Sequence, residues 1–143
     1  MKNFIFAFLQ FLLLFYLLLS RPFYIFSIPF VLILIVSILL IFWAILVRQF
    51  NKHPGSRRAP RGVYLITGGP YEIIRHPVYA GLLLFVINYS QGYYSMFQYL
   101  AFLLFLMIIL LRINHDEELT QRFFKHKYSE YKKKVKRLVP YIY

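Results

Sequence analysis

The chain has 143 residues, 60% hydrophobic and 15% charged, with 17 Lys and Arg against 5 Asp and Glu for a formal net charge of +12. A soluble domain covers its surface with roughly a quarter charged residues, so this composition excludes a water-soluble globule, and 16 Phe with 13 Tyr exclude a disordered chain. The absence of Cys removes disulfides, thiolate nucleophiles and Cys-ligated metal centres; what remains is an integral membrane protein with basic extramembrane parts.

Four apolar stretches follow in chain order. Phe4 to Leu19 is interrupted only by Gln10, and Ser20-Arg21-Pro22 after it reads as a tight turn. Lys2 ahead of an apolar run suits a signal peptide, but no small-x-small cleavage site follows, so a retained helix is expected. Phe23 to Val47 carries no charge and exceeds the ~20 residues a helix needs to cross about 30 Å of hydrocarbon. Val78 to Tyr89 is short for a span, so residues before Val78, or a partly buried entry, must supply the missing length; Tyr94 to Leu111 is close to one bilayer. The expected architecture is therefore all-α and polytopic, about four transmembrane helices with a cytoplasmic amphipathic C-terminal helix. The whole chain, 1–143, reads as one domain, with two helices and a basic loop in 1–60 and a core in 61–143.

Charge orients the spans. The loop between spans two and three holds Arg48, Lys52, Arg57, Arg58, Arg61 and Arg75, and the tail from Arg112 holds most of the remaining Lys and Arg. Arg21 alone lies on the other side, so the positive-inside rule puts both termini and the central loop in the cytoplasm. Basic residues flanking spans meet anionic lipid headgroups, which accounts for the +12 without nucleic acid; no nucleic-acid-binding motif is present.

Two polar segments can carry chemistry, since ionisable residues at span ends mark sites. In the first, Gly68-Gly69-Pro70 is a turn, and Pro77 suits the first turn of a helix. His76 then sits near the cap, where free N–H groups hold an anion such as a carboxylate, with Tyr79 and Gly81 on the wall. The plain alternative is a loop-to-helix boundary whose aromatics anchor at the interface. In the second, Arg112 and Asp116 share a helix face in the less favourable order for a simple pair. Asp116-Glu117-Glu118 can bind an ammonium, a ribose diol or a sulfonium-bearing ligand, or can simply balance a helix dipole. Beyond them Phe124, Tyr128, Tyr131, Val135 and Leu138 follow helical spacing with Lys between, which predicts an amphipathic helix on the membrane. His53, His76, His115 and His126 have no i,i+4 pairing, so no metal site is expected. No P-loop, Gly-x-Gly-x-x-Gly unit or nucleophile elbow is present.

Thr67-Gly68-Gly69-Pro70-Tyr71 followed by Arg75-His76-Pro77-Val78-Tyr79-Ala80-Gly81 resembles the isoprenylcysteine carboxyl methyltransferase family of membrane enzymes. The tail agrees: Arg112, Asp116-Glu117, Phe124, Tyr128, Tyr131, Val135, Arg137 and Pro140 fall at that family's spacing, so the resemblance covers roughly Arg61 to Pro140. It implies an S-adenosylmethionine-dependent methyltransferase with the cofactor enclosed between the last helices and the tail, and a lipophilic acceptor entering from the bilayer. By position it places cofactor contacts on Val63, Tyr64, Leu65, Ile66, Tyr71, His76, Pro77, Val78, Tyr79 and Asp116, and acceptor orientation on Arg112. Asp116 stands where the family usually has Glu, so Glu117 is assigned a share of the catalytic site; Glu72 stands for a common Arg, and Lys125 for a usual Gly at the tail turn. A carboxylate of the isoprenylcysteine type is the leading acceptor. The alternatives are a phospholipid or amine N-methyltransferase, a sterol-reductase-like enzyme using NADPH, and a non-catalytic membrane subunit.

Overall fold

A computed structural model describes residues 2–19, 27–51, 65–90 and 95–140. They form an all-helical protein: α1 (Lys2–Leu19), α2 (Ile28–Phe50), α3 (Pro77–Ser90) and α4 (Met96–Lys134), with a single 3₁₀ turn at Gly69–Glu72. α2 and α4 are long and apolar enough to cross a membrane. α1 and α3 are shorter apolar helices. At 1.5 Å per residue the 14 residues of α3 reach only about 21 Å, so the missing length is not supplied by a longer helix. Large apolar side chains stand exposed along the bundle, among them Phe11, Phe15, Leu32, Leu39, Phe42, Leu103 and Met107.

The helices pack as α2 on α3 and α1 on α4. Leu17, Val86, Ala101, Phe105, Ile109 and Ile113 form the buried cluster where α1, α3 and α4 meet. Hydrogen bonds to backbone tie helix to helix: Asn88 Nδ2 donates to the Phe30 carbonyl at 3.0 Å, and Tyr89 Oη to the Leu18 carbonyl at 3.1 Å. Small residues set the α2–α3 distance, as they do where packing rather than hydrophobicity holds helices together. A Cβ on Gly81 would lie 2.5 Å from Ile41 Cγ1 and 3.1 Å from the Ser37 carbonyl oxygen. Gly81→Ala should therefore push α3 off α2 and destabilise by about 1–3 kcal/mol, read as a lower unfolding midpoint in detergent.

Pro29 lies in the first turn of α2 and Pro77 opens α3, where a missing N–H costs nothing. His76 caps α3, its carbonyl accepting from the Ala80 amide at 3.0 Å. Upstream, Gly69 takes φ +62° and its Cα lies so close to α2 that a Cβ would meet Val47 Cγ2 at 2.9 Å.

The tail differs from the expected amphipathic helix. α4 continues through Arg112 without a break and turns sharply at Lys125, whose φ of 38° and ψ of −109° are not helical. Helix resumes and ends at Lys134, leaving Val135 extended. Val135 and Leu138 thus lie beyond the helix. Tyr128 is buried, so the returning segment docks its aromatic face on the protein. Periodicity alone does not distinguish an apolar stripe facing lipid from one facing a neighbouring helix. The turn is clamped by Gln121 Nε2 and Ser129 Oγ, which both donate to the Lys125 carbonyl, at 3.0 and 3.1 Å. Only glycine takes such a backbone without penalty. Lys125→Gly should stabilise the protein by roughly 1 kcal/mol, seen as a raised midpoint with unchanged ligand affinity.

Candidate functional site

Five chain segments converge on one cavity of about 540 Å³. The loop before α3 and the start of α3 supply Leu65, Ile66, Tyr71, Arg75, His76, Pro77, Val78, Tyr79 and Leu82; α4 supplies Arg112, Asp116, Leu119 and Thr120, and its returning segment Tyr128 and Tyr131. Gln10 of α1 and Arg48 of α2 complete the lining. The volume falls in the ~300–1,000 Å³ range of small-molecule sites. Apolar groups line one part and convergent polar groups the rest.

The polar side runs as a chain of contacts. Arg112 Nη1 donates to Gln10 Oε1 at 2.6 Å, and its guanidinium lies 5.8 Å from the centre of the Tyr79 ring. Tyr79 Oη donates to Asp116 Oδ2 at 3.0 Å. Arg112 and Asp116, one helical turn apart, are thus held by Gln10 and Tyr79 rather than by each other. The Tyr131 hydroxyl donates to the Tyr71 carbonyl, which joins the tail to the 3₁₀ turn. Burial pushes the Tyr71, Tyr128 and Tyr131 phenols above their usual range, so all three are neutral donors at physiological pH.

Behind this wall lies an ionic cluster. Glu117, buried, accepts from Arg75 Nε at 3.0 Å and Arg137 Nη2 at 2.9 Å, with His76 Nε2 at 3.2 Å and Lys132 Nζ at 3.6 Å. Burial alone would raise this carboxyl. Hydrogen bonds from His76 and Arg137, with the guanidiniums of Arg75 and Arg137, instead hold it well below the usual carboxylate range. Arg75 also donates Nη1 to the Lys132 and Val135 carbonyls. Backbone pairing continues the join: the Arg75 amide donates to the Lys136 carbonyl at 2.7 Å and the His76 amide to that of Arg137 at 3.0 Å. The tail is strapped to the loop that opens α3.

The residues singled out in the sequence therefore divide. Leu65, Ile66, Tyr71, His76, Pro77, Val78, Tyr79, Arg112 and Asp116 meet around the cavity. Val63 and Tyr64 lie outside the described residues. Glu117, placed beside Asp116 as a catalytic group, is not on the cavity wall; adjacent helix positions point about 100° apart, and its carboxylate is taken up by Arg75, His76 and Arg137. His76 lines the cavity with its ring while Nε2 faces Glu117. Sequence reasoning left Gln10, Arg48 and Arg75 without a role at the site. For Gln10 the signal was present, as the one polar residue inside an apolar helix. Arg48 was indistinguishable from residues that merely orient spans, and Arg75 stood in the motif before α3 with no role of its own. Among the described residues no group of three or more His, Asp or Glu could hold a metal ion.

The chain is 34% identical over 79 residues to two rice proteins, from Oryza sativa subsp. indica and subsp. japonica, each named "Probable protein-S-isoprenylcysteine O-methyltransferase". Each match covers 54% of this chain and 41% of the relative, so the chain spans well under two thirds of their length. The profile of the family described as "Ergosterol biosynthesis ERG4/ERG24 family" matches residues 4–143, α1 included. With that match running through nearly every residue, the chain belongs to the ergosterol biosynthesis ERG4/ERG24 family, which isoprenylcysteine methyltransferase-like proteins share.

Proposed function

We propose that this protein is an integral membrane methyltransferase that moves a methyl group from S-adenosylmethionine to a lipophilic acceptor, with a carboxylate of the isoprenylcysteine type as the acceptor group. The observation that carries this reading is the joint lining of one cavity by Tyr79, Arg112 and Asp116, in a chain whose curated relatives are named as methyltransferases.

The donor set suits the cofactor. Asp116 offers an acceptor for ribose hydroxyls or an ammonium, and Leu65, Ile66, Val78 and Leu82 offer an apolar wall for a purine. Tyr71, Tyr79, Tyr128 and Tyr131 provide aromatic faces, which attract a sulfonium as they do other cations. Arg48 is a counter-charge for a carboxylate. When bound, S-adenosylmethionine supplies a methyl group already activated by its sulfonium, so alignment matters more than acid–base help and a carboxylate acceptor needs no base. Arg112 orients the acceptor; Tyr79 holds Asp116 by its hydroxyl and Arg112 by its ring face. Glu117 is a positioning residue that fixes His76 and Arg75 and keeps the tail closed over the cavity. In this reading all four helices cross or enter the bilayer, both termini are cytoplasmic, and the acceptor slides in between apolar helices.

A second reading follows from the matched family, which also covers sterol reductases: the same cavity would hold NADPH. Isothermal titration of detergent-purified protein with each cofactor, for wild type and Asp116→Ala, separates them. Micromolar S-adenosylmethionine binding, weakened at least tenfold in the variant, is the expected result. Binding of NADPH alone would replace the methyltransferase reading with the reductase one.

A further inference from the structure

From Phe4 to Leu19, α1 is apolar except for Gln10, and Gln10 is 8% exposed. An amide in such a helix is uncomfortable unless both ends are satisfied. Only one is. Arg112 has donors and no acceptor, so the Gln10 oxygen must be the atom that faces it, and it accepts at 2.6 Å. This fixes the other end. Gln10 Nε2 is buried with no hydrogen-bond partner among the described residues, a condition that is destabilising until an acceptor arrives. Both Gln10 and Arg112 line the cavity.

With both residues on the lining, donors from two helices remain without an acceptor for a group bound on the α1 side of the cavity: the Gln10 amide hydrogens and the Arg112 N–H groups not given to Gln10. A group that completes this arrangement must bring acceptors. A planar carboxylate brings two oxygens, one for each donor, in the charge-assisted geometry guanidinium favours. An ammonium brings donors only and a positive charge beside Arg112. A neutral amide matches one donor and opposes the other.

We infer that Gln10 is a specificity-determining residue of the acceptor site: its Nε2, with Arg112, binds the acceptor's ionised carboxylate and discriminates against amines and amides. This rests on the methyltransferase reading for the word acceptor and deepens it, since it selects carboxylate over lipid amine. It also gives α1, whose apolar sequence carries no motif of its own, a chemical task.

The test is binding without any methyl donor. N-acetyl-S-dodecylcysteine, its primary amide and S-dodecylcysteamine are titrated into detergent-purified wild type, Gln10→Leu and Gln10→Glu. Wild type should bind the acid about tenfold more tightly than the amide or the amine. Gln10→Leu should lose that preference for the acid while binding the amide as before, and Gln10→Glu, which places a carboxylate against Arg112, should favour the amine. S-adenosylmethionine affinity should be unchanged in both variants. A residue that merely packed α1 on α4 would lower the unfolding midpoint and weaken all three ligands alike, and that outcome overturns the inference. So does equal binding of acid and amide by wild type, which needs no variant to fold. Retained acid selectivity in protein that does not bind S-adenosylmethionine would sink the methyltransferase reading instead, leaving the carboxylate site standing.

Discussion

Glu117→Ala should cost about 3–5 kcal/mol, the penalty of stranding buried charge, because it leaves Arg75, with a side chain only 7% exposed, and its neighbours His76 and Arg137 without their shared anion. The loss should be local before it is global. Arg75 holds the Lys132 and Val135 carbonyls as well as Glu117, so the segment after Lys125 should come away from the loop that opens α3. Trypsin should then cut between Lys132 and Arg137 much faster in the variant than in wild type, and denaturant unfolding in micelles should begin earlier. Glu117→Gln keeps hydrogen-bond acceptors and should fall between the two. The same contacts give a pH dependence whose sign is fixed. A carboxyl held below its ordinary 4.5 contributes its stabilisation fully above that pH and loses it progressively as pH falls below it. Tail protection against an acid-active protease should therefore be flat from neutral pH to about 5 and decline under more acid conditions; a decline beginning near neutrality would implicate a different group.

Arg112→Ala should reduce kcat/KM for the acceptor by roughly 100-fold, the scale of two or more charge-assisted hydrogen bonds, while S-adenosylmethionine binds within about threefold of wild type. Removing the guanidinium also strips Gln10 Oε1 of its donor and the Tyr79 ring of its cation. Some loss of stability should accompany the loss of rate. Arg112→Lys restores the charge but not the planar fork and should recover only a minor part. A variant that lost cofactor affinity as strongly as acceptor turnover would move Arg112 from the acceptor side to the cofactor side of the cavity.

Much of the site was legible because its residues carry local rules. Pro77 marked the start of α3 and His76 its cap, and Gly69 marked a turn that only a residue tolerant of positive φ can make. The pairing of the loop with the tail was legible only as two motifs in the right order; nothing in a single chain states that Arg75 meets Lys136. Lys125 is the instructive case. A lysine gives no hint of the backbone it adopts, and helical spacing on either side runs straight across the turn, so the periodicity read as one stripe from Phe124 to Leu138 while the chain reverses at Lys125 and leaves the helix at Val135. Glu117 shows a further limit. Three consecutive acids look interchangeable in sequence, yet a helix sends Asp116 to the cavity and Glu117 into the ion cluster behind it. Span count was the coarsest reading, because hydropathy measures composition while crossing depends on length, and α3 has the first without the second.

The strap between the loop and the tail also sets an order of events during biosynthesis. The cavity takes Gln10 from the first helix and Tyr128 and Tyr131 from the last segment, and the backbone bonds that close it require Lys136 and Arg137. As the chain leaves the ribosome, α2 and α3 can pack before α4, on which α1 docks, has been made. No ligand that needs the whole lining can be held until residues 136 and 137 have emerged, so a chain stopped before them lacks the bonds that close the site.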